Sequence, residues 1–213
     1  MTRLIFSGKV DIFTNRCLML THSRFEGSDI PNEAYALKGA QGFAWYRDAV
    51  IYDLDQENCW VEIYQTQRLE EVSSNVSRAI LLPFSVPEAG HLFMMEYSDI
   101  LSFEILPGQY QLLFERRQLT ENELFSIEKY AAFAYQPQGD STSRQFPRES
   151  PEHCKLTFVP TQEPVEPKLL KFMPLNMGYK TRRKLESGEI APESLFPKEL
   201  VLSNKLLSDV AIP

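Results

Sequence analysis

The chain is poor in the residues that catalysis and metal binding require. It has three histidines (His22, His91 and His153) and three cysteines (Cys17, Cys59 and Cys154) in 213 residues. No two histidines stand at metal-ligand spacing, and no Cys-x-x-Cys pair exists, which excludes a zinc ribbon and a thioredoxin-type redox motif. An odd number of widely spaced cysteines argues against a disulfide framework and for thiols buried as small hydrophobes. His153 beside Cys154 comes nearest to a ligand pair, but neighbours on a strand point to opposite faces. Glycine is scarce too, at nine residues. Gly39-Ala40-Gln41-Gly42 lacks both the dinucleotide-binding spacing and the Lys-Ser/Thr of a phosphate loop. No Gly-x-Ser-x-Gly elbow is present. Apolar runs are short, so no membrane span is expected, and the opening Leu4-Ile5-Phe6 meets Lys9 and Asp11 too soon for a secretory signal. These absences predict a cytoplasmic, non-catalytic protein with no metal and no cofactor.

What the chain does have is acid, unevenly spread. Residues 1–150 carry 13 Lys/Arg against 21 Asp/Glu, a net of −8, and residues 151–213 carry 9 against 8, a net of +1. An acidic body repels nucleic-acid backbones and attracts basic surfaces. Direct DNA or RNA binding is therefore disfavoured, and a basic protein partner is the expectation.

It also has many short strand-like runs joined by Gly and Pro. Leu4–Phe6 with Val10–Thr14, Cys17–Thr21, Phe43–Tyr52, Cys59–Gln65, Val76–Pro83, His91–Tyr97, Ile100–Ile105, Gln109–Glu115 and Lys155–Pro160 read as strands. In Cys59–Gln65 the residues Trp60, Glu62 and Tyr64 alternate with Val61 and Ile63, the period of a pleated strand. Pro83 and Pro87 are expected to stop their strand or confine it to an edge. Pro31–Gly39 predicts a short helix capped by Asp29 or Asn32 and stopped by Gly39. Thr120-Glu121-Asn122-Glu123 reads as a capping box, with Leu124, Ile127, Tyr130 and Ala131 following at helical spacing. A further short helix is predicted around 200–210. The expected fold is mainly β, an antiparallel β-sandwich or barrel-like domain with two or three short helices. Residues 1–160 form its body, and the Pro-rich, basic residues 161–213 form a C-terminal extension.

Two acidic clusters are the candidate contacts. Asp53, Asp55 and Glu57 sit in the connection after Tyr52 and begin like a calcium loop. Asn58 then stands where that loop needs glycine, and Tyr64 where it needs glutamate, so calcium binding is not expected. The stretch reads as a solvated hairpin connection or as an acidic surface offered to a basic partner. Glu70 and Glu71, in the next loop, join the same surface. Trp45, Tyr46, Tyr52, Trp60 and Tyr64 read as core and cross-strand aromatics, some of them as interface anchors.

Three stretches, Ala40-Gln41-Gly42-Phe43-Ala44-Trp45, Arg78–Pro87 with Gly90, and Leu106-Pro107-Gly108-Gln109-Tyr110-Gln111-Leu112-Leu113-Phe114-Glu115, together resemble the competence protein J family. Asn32-Glu33-Ala34 adds an acidic helical turn. The likeness spans residues 3–117, with a weaker echo at Lys155–Pro160, and does not extend past residue 160. It implies a small intracellular protein that binds and inhibits a DNA-entry nuclease; the likeness names no contact residues, and the acidic contacts Asp53, Asp55, Glu57, Glu70 and Glu71 come from the charge pattern alone. The competing readings are a β-sandwich ligand-binding protein or enzyme, which would cluster His22, His91 or His153 with Cys17 or Cys154, and a structural module of a larger assembly. The sequence sets no oligomeric state.

Overall fold

The computed structural model describes residues 2–12, 17–22, 32–54, 56, 58–95, 100–135, 145–147, 150–173, 183–185 and 187–203, without the side chains of residues 32, 35, 39, 95, 192 and 193. Two sheets face one another, with no closed barrel among the described residues. The larger sheet comprises β1 (Arg3–Asp11), β5 (Asn58–Gln65), β10 (Glu152–Pro160), β9 (Gly108–Gln118), β6 (Arg78–Val86) and β11 (Lys168–Phe172), in that spatial order. The smaller comprises β3 (Phe43–Tyr46), β4 (Ala49–Asp53), β2 (Cys17–Thr21), β7 (His91–Met95) and β8 (Ile100–Glu104). Pairing is antiparallel except between β10 and β5, which run parallel. The mainly β expectation holds, with that one parallel pair added.

Alternation of side chains builds the layers. Cys59, Val61 and Ile63 of β5, Cys154, Leu156 and Phe158 of β10, and Tyr110, Leu112 and Phe114 of β9 point inward and meet Leu18, Leu20, Val50 and Tyr52 of the smaller sheet. Tyr52 stacks on Phe114 with ring centroids 3.9 Å apart. Helix α1 (Asn32–Gln41) covers the far side of the smaller sheet through Ala34 and Leu37. The far side of the larger sheet is covered at two places. Leu119, Leu124, Tyr130 and Phe133 pack on Trp60, while Leu69, Val72 and Val165 pack on Ala79, Leu81 and Leu113. Polar residues are left between these two covers.

Several local expectations are corrected by tertiary context. The run 43–52 is not one strand but the β3–β4 hairpin, turned at Arg47-Asp48. The connection 54–57 is not a hairpin, because β4 pairs with β2 and β3 while β5 pairs with β1 and β10, so it crosses between sheets. The first strand is continuous from Arg3 to Asp11 with a bulge near Ile5. Strand β6 runs through Pro83 because β11 pairs only with Arg78–Leu81; at Pro83 the carbonyl accepts from the Trp45 indole N–H at 2.9 Å instead of from a strand, and the missing N–H costs no ladder bond. Helix α1 passes Gly39 and ends at Gly42, whose φ of 87° and N–H to the Lys38 carbonyl (2.8 Å) make the left-handed stop. The capping box at Thr120 is present, but α2 (Glu121–Ser126) breaks at Ile127, which is extended, before a 3₁₀ turn at Glu128–Phe133. Asp29 and residues 204–210 lie outside the described residues.

Candidate partner-binding site

The five acidic residues singled out from the sequence do not stand alike. Asp53 ends β4 and is largely turned inward, with Lys38 Nζ of α1 at 3.1 Å and Arg78 Nη1 of β6 at 3.7 Å. Burial pushes its pKa up, against the pull of Lys38 and Arg78. Asp55 and Glu57 lie outside the described residues. Gln56, between them in the chain, donates its backbone N–H to Glu152 Oε2 at 3.3 Å. Glu70 and Glu71 are exposed on the loop between β5 and β6, and Glu70 meets Lys155 Nζ at 3.4 Å.

Asp53 belongs to a charged cluster that the sequence reading missed. Arg78, Arg116 and Glu152 are all but fully buried at one end of the interior. Arg116 Nε lies 3.0 Å from Glu152 Oε1, a close ion pair rather than an aligned hydrogen bond. Arg78 donates to the carbonyls of Asp53 (3.2 Å) and Met173 (3.1 Å) and lies 5.0 Å from the Phe172 ring centre. The sequence signal was phase: Arg78, Arg116 and Glu152 fall on the same alternation as the core residues that follow or precede them. Gly42 is tied to this cluster, since a Cβ there would lie 3.1 Å from Arg78 Cζ and from the Phe172 ring.

A second missed cluster occupies the outer face of the larger sheet, between its two covers. Glu62 is its centre. Lys129 Nζ donates to Glu62 Oε1 at 2.7 Å, and the Tyr64 hydroxyl donates to Oε2 at 3.2 Å. His153 Nε2 lies 3.2 Å from Oε2. The His153 bond, with Lys129 beside it, holds the Glu62 carboxyl well below the usual carboxylate range despite burial. Alternation of β5 and β10 carries these residues outward together, but no sequence pattern revealed that the two strands pair. Lys155 Nζ extends the row, 3.6 Å from Glu115 and 5.6 Å from the Tyr64 ring centre. Two hollows flank it. One of about 260 Å³ is lined by Glu70, Glu71, Glu115, Arg117, His153 and neighbours. The other, of about 270 Å³, lies over Tyr64, Glu70 and Thr157.

The cysteine and histidine chemistry is separated in space. His153 points outward while Cys154 points into the core. His22 packs edge-on against Phe84, and His91 is exposed. All three cysteines are buried and unbridged. Burial pushes the Cys17 thiol up to about 11, and burial with the Cys154 bond raises Cys59 well above its ordinary value. The Cys17 and Cys59 thiols stay protonated and are poor nucleophiles. Among the described residues no group of three His, Cys, Asp or Glu is placed to hold a metal ion, and no helix is long and apolar enough to cross a membrane.

The profile of the competence protein J (ComJ) family matches residues 22–138, more than half of the chain. The chain belongs to the competence protein J family. The matched segment carries α1, β3 to β9 and α2, and with them Asp53, Glu62, Glu70, Glu71, Arg78 and Arg116. Strand β10, with Glu152, His153, Lys155 and Thr157, lies outside it, so both charged clusters are completed by residues beyond the family segment. Two solved structures are similar. One is ComJ from Bacillus subtilis, described as the inhibitor of the DNA-degrading activity of NucA, at 14% identity and a TM-score of 0.48, covering 75% of this chain and 99% of that one. The other is the product of crocagin biosynthetic gene J, at 14% identity and a TM-score of 0.42, covering 76% and 99%. No curated protein matches the sequence.

Proposed function

We propose that the protein is a non-catalytic inhibitor of a DNA-degrading nuclease, acting in the cytoplasm by presenting carboxylates to a basic protein surface. Membership of the competence protein J family is the observation that carries this reading, the Bacillus subtilis protein of that name being described as an inhibitor of NucA. The net charge of −8 over residues 1–150 supports it, since nucleases grip phosphates with basic residues and a carboxylate-bearing face competes for them. Glu70 and Glu71 are the contacts offered directly. Asp55 and Glu57 flank Gln56, whose backbone is held by Glu152, and Asp53 anchors that connection through Lys38 and Arg78.

The test is a plasmid-cleavage assay with purified protein and a NucA-type nuclease, alongside gel filtration of the mixture. Stoichiometric inhibition and co-elution are expected, with association slowing as salt rises. Absence of both inhibition and complex would sink the proposal.

A further inference from the structure

Strand β3 ends the smaller sheet, and its outer edge is covered by a segment from far along the chain. Leu202 bridges Trp45 in parallel, and the Ser203 N–H donates to the Trp45 carbonyl at 3.0 Å. Two residues earlier, in phase with Ser203, Val201 is held by a side chain instead of by backbone. The Gln41 amide donates to the Val201 carbonyl at 2.9 Å and accepts the Val201 N–H at 2.9 Å. Gln41 Nε2 also donates to the Phe43 carbonyl at 3.1 Å, which fixes how the amide is turned. Gln41 is 2% exposed, and its amide stands in for a strand neighbour just before β3 begins at Phe43. Leu200 and Leu202, half-buried, pack on the core, while Val201 between them is 49% exposed. The receiving residues Gln41, Phe43 and Trp45 lie inside the family segment, and residues 200–203 lie outside it.

We propose that the β3 edge with the Gln41 amide is a binding site for an extended Leu-x-Leu peptide, and that residues 200–203 are its internal ligand, a strap that detaches. Open sheet edges recruit strands through their unpaired backbone groups, and pockets for alternate side chains set which strand they take. Both parts are present. The Gln41 amide and the Trp45 carbonyl grip backbone, and the core beside Trp45 takes two leucines spaced two apart. An emptied site leaves a buried amide and an apolar surface without partners, which favours rebinding of a strand of the same pattern. The strap is lightly held. Its bridge to β3 is at Leu202, whereas β10 is in register with β9 from Glu152 to Pro160. Such a segment opens at lower free energy than the sheets it covers. This site does not depend on the nuclease reading.

The experiment titrates the full chain into a fluorescein-labelled peptide of residues 197–206 and reads anisotropy. The wild type is compared with a full-length variant carrying Leu200→Asp and Leu202→Asp, changes that loosen the strap and leave the site itself intact. The variant is expected to bind the peptide at least about tenfold more tightly, because the wild type offers only the fraction of sites its strap leaves open. Methylating the peptide's Val201 nitrogen removes the N–H that Gln41 accepts and lowers affinity about tenfold, without touching the protein. A peptide carrying Leu200→Asp and Leu202→Asp does not bind. Equal affinity of the two chains, indifference to the methyl group, or no binding by the variant overturns the proposal. So does loss of the variant's cooperative thermal unfolding, since an internal ligand is separable from the fold that binds it. Hydrogen exchange of the wild type gives a second readout. The Ser203 amide is expected to exchange at least about a hundredfold faster than that of Leu156 in β10, and equal protection overturns the detachable strap.

Discussion

The two charged clusters use pairs of opposite charge to opposite ends. At the closed end of the interior, Arg116 is 3% and Glu152 0% exposed by side chain, 3.0 Å apart. On the outer face, Lys155 is 30% and Glu70 65% exposed, 3.4 Å apart. The first pair has traded water for one another and for the Gln56 N–H, so it is committed to holding its strands and the Gln56 backbone in place. The second pair keeps its water and can exchange partners at little cost. Burial, rather than residue type, separates charge that builds the fold from charge left available for binding. Glu62 lies between the extremes, shielded by its neighbours but open to titration.

The sharpest way to break this comparison is at Glu152. Glu152→Gln leaves Arg116 with its charge in a buried site, and urea unfolding is expected to show a loss of about 3 kcal/mol. A loss under about 1 kcal/mol would show that the interior pair behaves like a surface one. Gly42→Ala strikes the same cluster from outside. It forces a side chain into φ 87° and against Arg78 Cζ at 3.1 Å, with an expected cost of about 1–3 kcal/mol in the same measurement.

On the outer face, Glu62→Gln is expected to cost about 1–2 kcal/mol at neutral pH. The pH dependence gives the sign. The folded-state pKa of Glu62 lies below its ordinary value of 4.5, so its stabilisation is complete above that value and drains away as pH falls through the folded value. Lys129 behaves in the opposite sense. Burial pulls its pKa down, but the bond to Glu62 holds it above 10.5, so its share is present below that value and is lost as pH rises past the folded value. The stability gap between wild type and Glu62→Gln should therefore narrow in acid. An unchanged gap at pH 3 would remove the Glu62 ion pairs as its cause. The smallest stability effect belongs to Glu70→Gln and Glu71→Gln, each within about 0.5 kcal/mol of wild type. Their expected effect is on association with the nuclease, slower and less salt-dependent in stopped-flow mixing.

Much of the larger sheet was legible along the chain. Trp60, Glu62 and Tyr64 against Val61 and Ile63 showed a two-faced strand, and Thr120 with Glu123 showed the start of α2. The run from Phe43 to Tyr52 was misread because its strand-forming residues are interrupted only by the polar Arg47-Asp48 turn. The helix expected through Ile127 failed because Tyr130 and Phe133 are drawn onto Trp60, and a 3₁₀ turn delivers them there. Of the candidate site, Glu70 and Glu71 were found as exposed acids. Asp53 was found as an acid, without its inward ion pairs.

The sequence by itself determined the strand content, the acidic body and the shortage of catalytic residues, because composition and period-two alternation are local properties that each segment carries with it. The tertiary structure alone decided which strands lie side by side. Pairing β10 parallel to β5 placed His153 beside Glu62 and Thr157 beside Tyr64, residues about ninety positions apart along the chain. It also sealed Glu152 and Arg116 inside while leaving Glu70 in water. That division rests on burial, and burial is a property of the packed sheets rather than of any one stretch of chain.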